Sequence, residues 1–228
     1  MSGFDLQFKL VLVGDEKSGK SSLLARYVCD SYSSSYVPTG GTDFKAKTTE
    51  FNGVPCKVEV WDTAGQESLL SSFARFYRNA QGVLICYDVC NKASFDNVTK
   101  YLQQVQMNAP VDAPIFIVGC KGDCYFSRKV ATAEGEKYAA SKRCAFREVS
   151  AKSGEQVEAL FQAMAALLLK QHAKERQGEG GSPRAREGLA ATTEQGGLGR
   201  LSEEVLAAAE GVEGVQGVEG GLGEGEAG

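Results

Sequence analysis

Apolar positions along this chain follow two periods, and they alternate in a regular order. Leu6 to Val13 is a nearly continuous apolar run, which predicts a buried strand. Lys20 to Val28 then carries helical spacing, with Leu23, Leu24 and Tyr27 on one face. Phe44 to Phe51 alternates, Asn52-Gly53 is a strong two-residue hairpin signal, and Cys56 to Trp61 alternates again. Gly82 to Tyr87 and Ile115 to Gly119 are further apolar strands, and Ala145 to Val149 is a short one. Helical spacing returns over Ser94 to Gln106, Ala133 to Ser141 and Glu155 to Gln171. Six strand candidates alternating with helices, one hairpin apart, predict an α/β fold with five helices, four of which the spacing above marks out. The expected architecture is a doubly wound, mostly parallel six-stranded sheet with helices on both faces. Such sheets bind ligands at the carboxyl ends of their strands.

Composition divides the chain near residue 172. From Ala173 onward five basic residues face eleven Glu, a net charge of −6, and 15 of the 27 Gly fall there. With −4 for the whole chain, +2 remains for the first 172 residues. The expected organisation is therefore a folded domain over 1–172 and a disordered Gly/Glu-rich tail over 173–228, which lacks the apolar surface to offset its ordering entropy. Within the tail, Ser202 to Ala209 has the pattern of two helical turns capped by Ser202, too short to be stable alone. A near-neutral domain gives no electrostatic case for a nucleic-acid partner. The seven Cys are scattered with no C-x-x-C pair, which argues for reduced thiols in a cytoplasmic protein rather than disulfides or zinc. The start of the chain has no secretory signal pattern.

Three segments at predicted strand ends carry chemistry. Gly14-Asp15-Glu16-Lys17-Ser18-Gly19-Lys20-Ser21 fits G-x-x-x-x-G-K-S between a strand and a helix. Its glycines let the backbone wrap a phosphate group, and its amides form an anion nest at the helix N-terminus. Lys20 suits the β and γ phosphates, and the Ser21 hydroxyl suits Mg²⁺. Asp62-Thr63-Ala64-Gly65-Gln66 supplies a carboxylate for the metal shell, an amide at Gly65 for the γ-phosphate, and Gln66 to orient water. Cys120-Lys121-Gly122-Asp123 places a carboxylate where guanine N1 and N2 can both donate to it. The Lys121 stem can cover the purine, and Ser150-Ala151-Lys152 can offer an amide to guanine O6.

With these motifs in this order, the chain resembles the Ras superfamily of small GTPases, and within it the Rab branch. The resemblance covers residues ~6 to 172 and includes Tyr36-Val37-Pro38-Thr39 with Gly41-Thr42-Asp43-Phe44, and Trp61 to Glu67. Phe76-Tyr77-Arg78-Asn79-Ala80, Tyr87-Asp88-Val89 and Ser94-Phe95 are similar to Rab signatures. It implies a P-loop fold binding GTP and GDP with Mg²⁺, and hydrolysis of GTP with Gln66 and Lys20 as the catalytic pair. The implied nucleotide contacts are Glu16, Lys17, Ser18, Gly19, Lys20, Ser21, Ser22, Tyr32, Tyr36, Thr39, Gly65, Cys120, Lys121, Asp123, Ser150, Ala151 and Lys152. The implied metal ligands are Ser21, Thr39 and Asp62. Phe44, Trp61 and Phe76 would form an aromatic triad facing effectors. Effector, exchange-factor and GAP-type proteins would bind through residues 36–44 and 65–78 of a monomer serving vesicle traffic.

Four departures from the family pattern refine that expectation. Glu16 and Lys17 stand where small residues are usual, which implies slow or GAP-resistant hydrolysis. Cys120 replaces the Asn of N-K-x-D, and a thiol is a poor substitute for an amide. Gly40 and Thr42 replace bulkier residues in the first switch, which loosens it. The last Cys is Cys144, so no C-terminal lipid anchor is expected and any membrane association would go through protein partners. Two other functions remain open on these residues: a GTP-binding protein with little hydrolysis, and an interaction scaffold with weakened nucleotide binding.

Overall fold

The computed structural model describes residues 4–35, 39, 42–51, 53–63 and 74–178. Twelve elements follow in order: β1 (Leu6–Val13), α1 (Lys20–Cys29), β2 (Thr42–Phe51), β3 (Val54–Thr63), α2 (Ala74–Tyr77), β4 (Gly82–Asp88), α3 (Lys92–Asp96), α4 (Val98–Asn108), β5 (Ile115–Cys120), α5 (Thr132–Ser141), β6 (Ala145–Val149) and α6 (Val157–Gly178). The strands form one sheet in the order β2-β3-β1-β4-β5-β6. Only β2 and β3 are antiparallel; Phe51 lies opposite Val54, so the hairpin closes at 52–53, with Gly53 at φ 78°. The remaining pairs are parallel, as crossover helices require.

Alternation along β1 divides the core into two layers. Phe8, Leu10 and Leu12 face α1 and α6, where Leu23, Leu24, Leu160, Phe161 and Met164 meet them. Tyr27 and Phe161 stack with ring centroids 3.6 Å apart. Val11 and Val13 face the opposite layer with Val98, Leu102 and Val105 of α4 and Ala139 of α5. Each fully buried Leu or Phe contributes about 1.5–3 kcal/mol, enough to fix which face each strand presents.

Two elements differ from the sequence pattern. The helix expected over Ser94 to Gln106 is two segments, α3 and α4, meeting at Asn97. Asn91 caps α3 by accepting from the Ala93 amide, and Asn97 is drawn aside to donate to Asp15 Oδ2 at 2.9 Å. Counted as one broken helix, the pair leaves five helices among the described residues, of which the four-residue α2 was not marked out by the spacing. The last helix continues past His172 to Gly178. No helix of the described residues is long and apolar enough to cross a membrane.

Candidate nucleotide site

The carboxyl ends of β1, β3, β4, β5 and β6 converge on one rim, and the three chemical motifs lie there. The chain leaves β1 at Gly14 with φ 138°, and a side chain at that position would lie 2.0 Å from the Cys86 carbonyl oxygen. Only glycine lets the loop pass so close to β4. Gly19 forms the N-cap of α1 at φ 105° with no side-chain capping bond, so the first amides of α1 are left for a ligand. Lys20 is buried; its Nζ donates to Gly14 O at 2.8 Å and Asp15 O at 2.7 Å. Burial pushes its pKa below the usual lysine value, opposed first by the nearby Asp62 carboxylate. An ammonium held inside the loop by carbonyls is positioned to meet phosphate oxygens. Glu16 and Lys17 are exposed on the outer rim, and Lys17 has a left-handed backbone, φ 64°.

Beside the loop, Ser21 Oγ donates to Asp62 Oδ2 at 2.5 Å and lies 2.9 Å from Thr39 Oγ1. Asp62 is buried, and its other oxygen, Oδ1, has no hydrogen-bond partner. An orphaned buried carboxylate oxygen is costly unless something pairs with it. Burial raises the Asp62 pKa, while the Ser21 hydroxyl and Lys20 pull it down. Two hydroxyls and a carboxylate are hard oxygen donors of the kind Mg²⁺ takes, usually with its own waters and phosphate oxygens completing the shell. The residues therefore fit that ion.

The third part is a cleft of about 70 Å³ lined by Tyr32, Lys121, Asp123, Cys124, Val149 and Ala151 among others. Asp123 Oδ1 accepts from Ser150 Oγ at 2.6 Å, and Oδ2 lies 3.9 Å from Lys152 Nζ. The Ser150 hydroxyl also accepts from the Ser153 amide at 3.1 Å, which fixes the loop after β6 against the loop after β5. The Lys121 ammonium is held by Asp88 Oδ2 at 2.6 Å, which turns its stem along the cleft wall. Cys120 packs on the phosphate loop: a Gly19 side chain would lie 3.0 Å from its Cβ and 3.5 Å from its Sγ. Its thiol lies beneath the loop in the same buried cluster as Cys86.

The structure thus brings together Lys20, Ser21, Thr39 and Asp62, and separately Tyr32, Cys120, Lys121, Asp123, Ser150, Ala151 and Lys152. Gly19 and Ser22 also line the cleft, which joins the two groups. Tyr36, Gly65 and Gln66 lie outside the described residues, as do Gly40, Gly41 and the tail segment Ser202 to Ala209. The expected triad is assembled: Phe44 and Trp61 rings are 5.1 Å apart, and Trp61 and Phe76 are 5.9 Å apart. Phe44 is exposed, so the triad reaches the surface.

Several site residues were not visible in the sequence pattern. Arg26, on α1, donates from Nε to Ala151 O at 2.7 Å and from Nη2 to Lys152 O at 3.1 Å. It clamps the backbone of the base loop from 125 residues away. Replacing Arg26 with Ala is expected to speed nucleotide release ~3- to 10-fold, because two charge-assisted bonds that hold the loop are lost. Stopped-flow release of a fluorescent nucleotide reads this directly. Asp15 accepts from Asn97 Nδ2 at 2.9 Å and from the Tyr101 hydroxyl at 3.0 Å, anchoring the phosphate loop to α4.

Sheet order and the glycine-rich loop after β1 define a P-loop NTPase fold. The Ras family model matches residues 9–170. Ras-related protein SEC4 of Candida albicans is 42% identical over 172 residues, covering 75% of this chain and 82% of that protein. GTP-binding protein YPTM2 of Zea mays is 41% identical over 165 residues, covering 72% and 81%. The related YPTM1 of Zea mays is 41% identical over 170 residues, covering 75% and 82%. The chain belongs to the Ras family, as a Rab-like small GTPase.

Proposed function

We propose that this chain is a molecular switch that binds GTP and GDP with Mg²⁺ and hydrolyses GTP slowly, in vesicle traffic. The observation that carries the reading is the convergence of Ser21, Thr39 and Asp62 beside the buried Lys20, with Asp62 Oδ1 lacking a partner. Lys20 and the amides of Gly19 and the first turn of α1 hold the β and γ phosphates. Ser21, Thr39 and Asp62 hold Mg²⁺, which neutralises charge on the phosphate oxygens when bound. Asp123 accepts from guanine N1 and N2, and adenine offers no such pair of donors. Lys121 covers the purine face, and the amides after Ser150 meet O6.

In hydrolysis, water attacks the γ-phosphorus while the bond to the bridging β–γ oxygen breaks, giving GDP and phosphate. Gln66 orients that water, and the Gly65 amide senses the γ-phosphate, as the family resemblance implies. Thr39 couples the first switch to the nucleotide: its hydroxyl is in place only while the segment around it is ordered. The aromatic triad of Phe44, Trp61 and Phe76 is the surface that effectors read, and exchange factors and GAP-type proteins approach the same side. The protein acts as a cytoplasmic monomer.

Fluorescent GDP and ADP titrations with and without Mg²⁺ test the binding half. Guanine-selective, Mg²⁺-enhanced binding supports it, and equal affinity for both bases removes it. For hydrolysis, a Glu16→Ser, Lys17→Gly variant is expected to turn over bound GTP at least ~10-fold faster in a single-turnover assay, because bulk over the γ-phosphate displaces Gln66 and excludes an arginine finger. Glycine at 17 also relieves a left-handed residue, worth about 1 kcal/mol of stability. An unchanged rate would show that the rim residues do not limit hydrolysis. The packing of the Cys120 thiol against Gly19 and Cys86 favours one rival, an interaction module with weakened nucleotide affinity.

A further inference from the structure

Four of the seven cysteines form two matched C-x-x-x-C segments, Cys86 to Cys90 and Cys120 to Cys124. The segments run along the ends of neighbouring parallel strands, β4 and β5, with Asp88 opposite Cys120. The inner thiols, Cys86 and Cys120, lie in one buried cluster beneath the phosphate loop. The outer thiols, Cys90 and Cys124, lie past the strand ends and are partly exposed. Cys90 Sγ lies 4.0 Å from the Cys124 carbonyl oxygen and 3.2 Å from Ser127 Oγ, which brings the two cysteines next to each other. Cys124 directly follows Asp123 and lines the base cleft.

We propose that Cys90 and Cys124 form a reversible disulfide under hydroperoxide, and that this bond loosens the guanine-recognition loop. The second half rests on reading the cleft as a guanine site. In the first step the Cys90 thiolate attacks the peroxide oxygen, giving a sulfenic acid and hydroxide. Cys124 then attacks that sulfur, the sulfur–oxygen bond breaks, and water leaves. Two thiols and one hydrogen peroxide give one disulfide and two waters. Burial, followed by contact with Cys90, pushes the Cys124 thiol up in pKa, which suits it to the resolving rather than the initiating role.

Accessibility separates the two pairs. Cys86 and Cys120 sit in the core, shielded from a soluble oxidant, whereas the outer pair is on loops that can move. A disulfide needs its sulfurs about 2.05 Å apart, well inside hydrogen-bond contact. Closing that gap draws Cys124 towards the end of β4. Asp123 moves with it, out of register with the Ser150 hydroxyl that now holds it.

The test treats the full chain with hydrogen peroxide, maps peptides by mass spectrometry, and measures release of fluorescent GDP before and after. The expected result is a Cys90–Cys124 linked peptide, reversed by dithiothreitol, with release ~3- to 10-fold faster in the oxidised form. Cys90→Ser and Cys124→Ser should each abolish both the link and the oxidation response, and Cys29→Ser, at an exposed cysteine, should retain both. Finding both thiols free, or only intermolecular links through Cys29, overturns the site. A mapped link with unchanged release overturns the coupling. If the reduced protein binds no guanine nucleotide, the reading of the cleft fails instead, and the peptide map still decides the disulfide.

Discussion

Cys120→Asn is expected to slow GDP release by ~10- to 100-fold, the effect of restoring one or two hydrogen bonds at about 1–1.5 kcal/mol each. The position touches both halves of the site. Its Cβ faces Gly19 across the contact where β5 meets the phosphate loop, and its backbone carbonyl accepts from the Val89 amide at 3.1 Å. The thiol, however, is buried among apolar side chains beside Cys86 and is a weak donor and acceptor for either role. An amide in its place has both a donor and an acceptor to offer to the base and to the loop. Cys86 is fully buried next to it, so the larger amide is accommodated best with Cys86→Ala as a second change. Release of fluorescent GDP from the single and double variants reads the effect. A rate that does not move in either one would show that the loop is held by other contacts.

Asp62→Asn is expected to do two opposite things. Without nucleotide it stabilises the protein, because the carboxylate is buried with one oxygen unpaired and burial raises its pKa above the ordinary 3.8. The folded state holds that proton more tightly than the unfolded chain does. The cost of ionising Asp62 is therefore absent below pH 3.8, grows as pH rises from 3.8 towards the raised folded value, and is complete above it. A thermal melt of the nucleotide-free variant should show a higher midpoint at pH 7 and converge on the parent at acid pH. With nucleotide the sign reverses: removing the charge opposite Mg²⁺ should cost ~10- to 100-fold in Mg²⁺-dependent GTP affinity, the scale of a lost charge-assisted contact. The same linkage predicts that Mg²⁺ stimulation of binding in the parent weakens as pH falls and protonation competes with the ion. A variant less stable at pH 7, or one with undiminished Mg²⁺ stimulation, would contradict this account of Asp62.

Both positions were legible in the sequence, and for a shared reason. The phosphate loop, Asp62 and Asp123 each end an apolar strand, and strand ends in a doubly wound sheet converge on one rim. Local pattern therefore predicts that they meet. The glycines at 14 and 19 were equally legible, since their φ values of 138° and 105° exclude other residues. The contacts that tune the site were not, because they join segments far apart with no local signature. Arg26 reads as an ordinary helical Arg, yet it holds two carbonyls of the loop after β6. Asp88 reads as the end of a strand, yet it holds the Lys121 ammonium at 2.6 Å. Asn97 sits inside a clean helical period, and the side-chain bond to Asp15 breaks that period in two. The scattered cysteines gave no metal or disulfide spacing; only the approach of Cys90 Sγ to the Cys124 carbonyl oxygen, between the loops after β4 and β5, shows that the two lie together.

Guanine-nucleotide binding is the central claim, and the most direct test is to denature the purified protein and analyse what it releases. The account predicts GDP or GTP, approaching one per chain when Mg²⁺ is kept present throughout purification. An empty protein, or one that releases adenine nucleotide, would contradict it.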